Sequence, residues 1–291
     1  MEPRAYSEQS ELTSLFALRA SGAQCSPEDT VLDLVGKLRQ TARAKLGEVP
    51  FGKYLSLRNV VDVSYLPDFH HDGQIEPIGT TCMDGFRIVL NCSSRASRGR
   101  FTLAHELCHT FFYEYVPEIK FLPHTTDPVE ERLCNSGAAE MLMPAKLVKR
   151  TAKGQPVCLR TLENLAALFQ VSSEAMVLRL IKLRLWQVEL SSWVRLSNGK
   201  FAIDKIVGGK LTDWQWPNQR QLDDAWELGK SCAGRDFIRR VNQCGIPSAR
   251  PISFDLARRQ NRICVLWGTG VVDSRSQGER PLFDGARKSV N

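Results

Sequence analysis

The stretch that decides the fold is Phe101-Thr-Leu-Ala-His105-Glu-Leu-Cys-His109-Thr, in which two histidines stand four residues apart. Its other residues are mostly apolar or small, which predicts a buried helix that begins near residue 100 and runs through residue 112. Residues four apart share a helix face, with Cβ atoms about 6 Å apart. His105 and His109 are therefore predicted to bind one tetrahedral Zn²⁺.

Glu106 directly follows His105, so it is angled toward a water that the zinc activates rather than toward the zinc itself. Zinc lowers the pKa of such a water toward about 7. A carboxylate in this position can accept the proton and deliver it to a leaving amine. The pattern therefore predicts peptide-bond hydrolysis, with Glu106 as general base. The competing interpretation is a core helix whose polar side chains find buried partners.

A second helix is predicted to supply the third ligand. Asp127-Pro128 is a strong helix start, with Asp as N-cap and Pro in the first turn, and the helix is expected to reach Met143. Glu131 follows His109 by 22 positions, which allows a loop and an antiparallel return. Asn135, one turn after Glu131, is predicted to hydrogen-bond the free ring nitrogen of a zinc-bound histidine.

Other polar residues near this site have less specific interpretations. Glu130 lies about 100° around the helix from Glu131, and Glu140 falls on another face. Both are alternatives for the third ligand, but both are expected to be solvated helix surface. Cys108 and Cys134 are expected close to the zinc as small buried apolar side chains, with an oxidant-sensing thiol as the alternative.

The residues before the zinc helix predict one helix and a small sheet. A helix with its N-cap at Asp29 or Thr30 is expected to run through Leu46. The segments rich in β-branched and apolar residues predict strands, and the polar segment between them predicts a loop. These are strands over residues 60–66 and 86–91, and a loop over residues 69–80.

The paired motifs resemble the ImmA/IrrE family of metallopeptidases. The resemblance rests on Arg100-Phe-Thr-Leu-Ala-His-Glu-Leu-Cys-His109, on Glu131-x-x-x-Asn135-x-x-Ala-Ala-Glu-x-Leu-Met-Pro144, and on the strand Arg87-Ile-Val-Leu-Asn91. It covers about residues 30–185.

The resemblance implies a fold, a site and a substrate class. The fold is a small mixed sheet packed on the zinc helix, as in gluzincin peptidases. The ligands are His105, His109 and Glu131, with Glu106 as base. The substrates are helix-turn-helix repressors of phage, mobile-element or stress genes, cut once to relieve repression.

Three positions depart from the family pattern without removing a ligand. Cys108 stands where the family often has Gly, and Gly137 stands where an aromatic residue is common. Leu133 replaces a residue that is commonly charged. Gly137 is expected to weaken its helix by about 1 kcal/mol relative to Ala.

Residues 161–183 predict two short helices around residues 170–172, with Ser172 as the second N-cap. This is a helix-turn-helix-like arrangement, in which Arg179 and Lys182 can face phosphate. Members of the family often carry such a segment, and packing against the catalytic domain is favoured over DNA contact, which is the alternative.

A change of composition near residue 187 predicts a domain boundary. From residue 188 onward there are 17 Lys and Arg against 11 Asp and Glu, a surplus of +6, whereas residues 1–187 carry only +1. All six tryptophans lie at or beyond Trp186. The predicted division is an N-terminal arm (1–28), a metallopeptidase domain (29–187) and a C-terminal α+β domain (188–291). Nucleic-acid binding by the basic part is an alternative that the sequence does not favour.

The apolar segments and the cysteines of the sequence indicate the cellular location that is expected for the protein. The sequence has no apolar run of about 18 residues and no secretory signal, so a membrane span is not expected. Nine scattered cysteines without a Cys-x-x-Cys pair suggest reduced thiols in the cytoplasm. The sequence therefore predicts an α+β, zinc-dependent cytoplasmic endopeptidase. The alternative is a DNA-associated transcriptional or stress regulator with a structural or vestigial zinc site.

Overall fold

A computed structural model describes residues 26–45, 47–79, 84–93, 96–113, 127–208, 217–229 and 253–270. Most of the predicted N-terminal arm and the predicted loop after the zinc helix lie outside these residues. The chain divides into two units, Met1–Pro144 and Ala145–Asn291. The described part contains eight α-helices and two sheets, which confirms the α+β class. The predicted domain boundary near residue 187 stays a prediction.

In its described residues, the first unit contains a three-stranded sheet and four α-helices. Its elements are α1 (Pro27–Thr41), α2 (Phe51–Leu57), β1 (Val60–Leu66), β2 (Gly73–Pro77), β3 (Phe86–Asn91), α3 (Ala96–His109) with a 3-10 turn (Thr110–Tyr113), and α4 (Pro128–Leu142). The predictions of β1, β3 and α4 are confirmed, and α2 was not foreseen. α3 begins four residues earlier than predicted.

α1 begins and ends earlier than the sequence suggested. Ser26, not Asp29 or Thr30, is the N-cap, because its hydroxyl accepts the Asp29 N–H at 3.1 Å and Pro27 takes the first helical position. The helix ends at Thr41 instead of Leu46, since Arg43 takes a left-handed backbone conformation with φ 52°.

The sheet of the first unit has the order β1-β3-β2. β1 pairs with β3 in parallel, and β2 pairs with β3 antiparallel, so the sheet is mixed, as the resemblance implied. β2 lies inside the segment predicted as a loop, so that prediction was wrong for residues 73–77. Only Ile75 of β2 is buried, which explains why the strand carries almost no apolar pattern.

α3 and α4 pack closely at Gly137. A Cβ added to Gly137 would lie 2.7 Å from Cys108 Sγ on α3 and 2.9 Å from Val31 Cγ1 on α1. Both of these side chains are fully buried. The missing side chain therefore lets three helices meet beside the metal motif.

Gly137→Ala is expected to destabilise the protein by up to about 2 kcal/mol, because overpacking costs about 1–3 kcal/mol and the helix-propensity gain offsets about 1 kcal/mol of that. The measurement is the free energy of unfolding in urea. Gly36→Ala is the matched control, because Gly36 lies in α1 with nothing within 4 Å of an added Cβ. Stabilisation by both changes alike would contradict the close approach at Gly137.

The part of the second unit that the structure describes contains a four-stranded antiparallel sheet with the order β5-β4-β7-β6. Its elements are α5 (Ala145–Ala152), α6 (Leu159–Phe169), α7 (Ser173–Lys182), β4 (Trp186–Arg195), β5 (Phe201–Gly208), α8 (Gln219–Leu228), β6 (Ser253–Arg259) and β7 (Arg262–Gly270). Leu222 and Ala225 of α8 pack in a core cluster with Trp193, Ile263 and Trp267 of the sheet. The sequence also predicts a helix over residues 236–243, which lie outside the described part.

α6 and α7 form the helix pair that was predicted over residues 161–183, with the Ser172 hydroxyl accepting the Ala175 N–H at 3.1 Å. Both helices pack on the four-stranded sheet. Asp255 of β6 accepts the Leu159 N–H at 2.8 Å at the start of α6. Arg179 is only 4% exposed, so the prediction that it can face phosphate was wrong.

No single helix in the described ranges is long and apolar enough to cross a membrane. α6 and α7 meet that standard only when taken together, across a bend of 98°.

Candidate metal centre

Three predicted ligands converge between α3 and α4. The Nε2 atoms of His105 and His109 lie 3.1 Å apart. Glu131 of α4 places one carboxylate oxygen 3.1 Å from His105 Nε2 and the other 3.5 Å from His109 Nε2. The contact between α3 and α4 therefore brings together two imidazoles from α3 and one carboxylate from α4, all directed at a common point.

These separations fit a bound divalent metal ion. Ligands held about 2.0–2.1 Å from a tetrahedral zinc lie about 3.3 Å from one another. The observed range of 3.1–3.5 Å brackets that value. The donor set of two imidazoles and one carboxylate is the set used by catalytic zinc sites with an open fourth position. A hydrogen bond with His105 holds the pKa of Glu131 below its ordinary range.

The other ring nitrogens of both histidines are occupied by acceptors. His105 Nδ1 lies 3.2 Å from Asn135 Oδ1, and His109 Nδ1 lies 2.6 Å from Glu130 Oε1. Each acceptor favours the tautomer with hydrogen on Nδ1, which leaves the Nε2 lone pair free for a metal. The Asn135 contact is the one that the sequence predicted.

Glu106 lies next to this cluster in a different environment. It is only 7% exposed, and it accepts a hydrogen bond from the Ile75 N–H of β2. Burial raises the pKa of Glu106 above its ordinary value, while the neighbouring histidines oppose the shift. A carboxylate with a raised pKa is a better proton acceptor near neutral pH than an exposed one.

Glu130 is where the sequence-based expectation was wrong. It is 5% exposed rather than solvated, and it contacts His109 instead of water. A stripe of buried residues continues from it along α4: Cys134, Gly137, Ala138 and Met141. These residues follow Glu130 at intervals of three or four, which is the spacing of one helix face. This pattern in the sequence could have predicted that Glu130 is buried. Glu140, the other alternative ligand, belongs to no cluster with metal-ligand geometry among the described residues.

The thiols near the site are buried apolar groups, as the first interpretation held. Cys108 and Cys134 are both fully buried. Burial raises the pKa of both thiols far above the ordinary cysteine value. Because the reactive species is the thiolate, this environment does not suit a sensor of oxidants.

Comparison with known proteins identifies a peptidase-like domain that includes the helices α3 and α4. Residues 64–180 match a family model described as "Peptidase_M78: IrrE N-terminal-like domain". Metalloproteases of this family use a divalent metal, and the cluster of His105, His109 and Glu131 is a candidate site for one.

Two curated relatives carry the name radiation response metalloprotease IrrE. The protein from Deinococcus deserti is 31% identical over 93 residues, which cover 30% of this chain and 31% of the relative. The protein from Deinococcus radiodurans is 29% identical over 120 residues, which cover 40% of this chain and 35% of the relative. The match thus spans about a third of either relative.

Among solved structures, a Mycobacterium tuberculosis transcriptional regulator is similar with a TM-score of 0.43 and 11% identity, covering 89% of this chain and 80% of that one. The domain match and the two curated relatives support the assignment of residues 64–180 to a peptidase domain of the IrrE N-terminal type, as in the ImmA/IrrE family.

Proposed function

We propose that this protein is a zinc-dependent endopeptidase that cleaves a peptide bond in a protein substrate. The observation that carries the proposal is the convergence of two imidazole Nε2 atoms and one carboxylate within 3.5 Å, next to a buried glutamate. Zinc bound there would act as a Lewis acid and lower the pKa of a water. We also propose that the fold of the peptidase domain is of the gluzincin type.

The residues of the chain divide the remaining work. His105, His109 and Glu131 hold the metal, and Asn135 orients His105. Glu106 accepts a proton from the attacking water and passes it to the leaving amine. The hydrogen bond from the Ile75 N–H keeps the Glu106 carboxylate at this position. A site that only stabilised the fold would need no such base, which argues against the regulator with a structural zinc.

β2 offers a place for an extended substrate. It is an edge strand among the described residues, pairing on one side with β3. An extended peptide can add to such an edge through main-chain hydrogen bonds. Because the Ile75 N–H of the same strand contacts Glu106, a peptide lying along β2 passes close to the base and the metal ligands.

Gly73 at the start of β2 keeps the strand close to Glu106. A Cβ at this position would lie 2.4 Å from Thr102 Cγ2 and 3.1 Å from both Cγ and Oε1 of Glu106. Thr102 cannot turn away without loss, because its hydroxyl donates to the Arg98 carbonyl at 3.0 Å.

Gly73→Ala is expected to lower kcat by about 10- to 100-fold with unchanged metal content, because misplacing a reacting group by about 1 Å has an effect of this size. The measurement is turnover of a cleaved peptide together with metal content. Thr102→Ser removes the clashing methyl group and is expected to restore part of the activity in the double variant. Full activity of Gly73→Ala would argue against the positioning of Glu106 by β2.

We further propose that the substrate is a helix-turn-helix transcriptional repressor and that the protein works in the cytoplasm. The family resemblance supports the substrate class, and the unpaired state of the five described cysteines supports the location. The test is mass-spectrometric mapping of new N-termini in a protein extract incubated with the enzyme or with Glu106→Gln. A new N-terminus inside a repressor, seen only with the unaltered enzyme, is expected. New N-termini only in proteins of other kinds would rule out the repressor as substrate.

A further inference from the structure

We infer that Glu130 is a positioning residue that sets the metal affinity of the site through His109. The inference rests on the proposed metal site and adds a residue to it. Glu130 does not reach the metal position, since its contact is with the far nitrogen of the imidazole. It acts by fixing the ring orientation and by increasing the electron density that the ring offers at Nε2.

The contact between Glu130 and His109 is short and shielded from water. Glu130 Oε1 lies 2.6 Å from His109 Nδ1, the side chain of His109 is 12% exposed and that of Glu130 is 6% exposed. Hydrogen bonds to an ionised group are about twice as strong as neutral ones. A low local dielectric increases the effect of the carboxylate charge on the ring. In the described part of the chain, His109 is the one ion-pair partner of Glu130.

The two zinc-binding histidines are therefore held in different ways. His105 is oriented by the neutral amide of Asn135, at 3.2 Å and on an exposed residue. His109 is oriented by a buried carboxylate. The charge of Glu130 adds a donor effect that an amide does not supply, so His109 becomes the stronger of the two imidazole ligands.

The position of Glu130 on α4 follows from the packing of α4 on α3. Glu131 and Asn135 form one stripe that faces the ring edges of the histidines, and Glu130 and Cys134 form the adjacent buried stripe. Both stripes contact α3 because Gly137 allows a close approach of the helices. Two consecutive glutamates can then serve one metal site: Glu131 as a metal ligand, and Glu130 as the hydrogen-bond partner of the ligand His109.

The experiment measures Zn²⁺ affinity by competition with a coloured chelator, and the visible absorption of the Co²⁺-substituted protein. Glu130→Gln is the main variant, because Gln keeps the shape and an oxygen acceptor but removes the charge. It is expected to weaken Zn²⁺ binding by about 10- to 100-fold and to shift the Co²⁺ bands. Glu130→Asp keeps the charge on a shorter side chain and is expected to bind more tightly than Glu130→Gln.

Glu140→Gln is the matched control on the same helix and is expected to leave affinity and spectrum unchanged. An unchanged affinity and an unchanged Co²⁺ spectrum in Glu130→Gln would overturn the inference. An equal loss in Glu140→Gln would overturn it too, since the effect would then be a general loosening of α4. Peptidase activity is not needed for this test, so the inference can hold even if the proposed function fails, and the reverse is also possible.

Discussion

Glu131→Ala is expected to lose nearly all bound zinc. Removing a residue that only hydrogen-bonds a metal ligand lowers the metal affinity by up to about 100-fold, so the loss of a ligand itself is expected to lower it by more than that. The substitution removes one of three protein ligands and leaves two imidazoles whose Nε2 atoms lie 3.1 Å apart. Two neutral nitrogens do not neutralise a divalent cation, whereas Glu131 supplies a negative charge at 3.1 and 3.5 Å from them. The measurement is metal content by mass spectrometry, on protein purified without chelators.

The control for Glu131→Ala is Arg132→Ala, a change at the next residue of α4, which is exposed. It is expected to keep near-stoichiometric zinc. Stoichiometric zinc in Glu131→Ala would contradict the assignment of the third ligand. The second cluster with metal-ligand spacing, formed by His109, Glu130 and Cys134, would then be the next candidate.

Glu106→Gln is expected to lower peptide hydrolysis by at least about 100-fold while the metal content stays unchanged. Gln has nearly the same shape, so the buried position beside Ile75 can be filled without a cavity. It cannot accept a proton from the attacking water, and this is the only change at the site. The loss is expected in kcat and not in substrate affinity, because the base acts in the transition state.

This prediction is checked by comparing cleavage rates and metal content of the two proteins at equal concentration. Glu140→Gln on α4 is a control for the same chemical change outside the metal cluster, and it is expected to cleave normally. Undiminished cleavage by Glu106→Gln would remove the proposed mechanism. Loss of both zinc and activity would instead indicate that Glu106 helps to hold the metal.

The local sequence predicted the elements that carry the proposed chemistry. The spacing of His105 and His109 requires a helix for both to face one point, and Asp127-Pro128 marks the start of the next helix independently of its partners. Asn135 follows from the same periodicity. These predictions depend on interactions within one or two helical turns, which a sequence reveals directly.

What the sequence did not predict depends on contacts between distant elements. β2 has one buried residue, so its strand conformation comes from pairing with β3 and not from its own pattern. The burial of Glu130 depends on how closely α4 approaches α3. A glutamate in the first turn of a helix is ordinarily explained by its favourable interaction with the helix dipole. The sequence alone therefore provides no reason to expect that Glu130 also contacts His109.

The helix pair of the second unit shows the same limit. The sequence predicts α6, α7 and the Ser172 cap correctly, but it does not tell which faces are covered. Ion pairing between Arg259 of β6 and Glu163 of α6, at 2.8 Å, ties the pair to the sheet. Arg179 is buried as a consequence of this packing, and the polar pattern of α7 alone does not reveal it.

The close approach at Gly137 has a consequence for comparing this chain with its relatives. In the common family pattern, Gly stands at position 108 and an aromatic residue at position 137, whereas this chain has Cys108 and Gly137. The two positions share one space, because a side chain at 137 points directly at Cys108 Sγ. The two departures from that pattern are therefore expected to compensate each other across the contact between α3 and α4. An aromatic residue transplanted to position 137 is therefore expected to need a smaller residue at position 108 on the opposite helix.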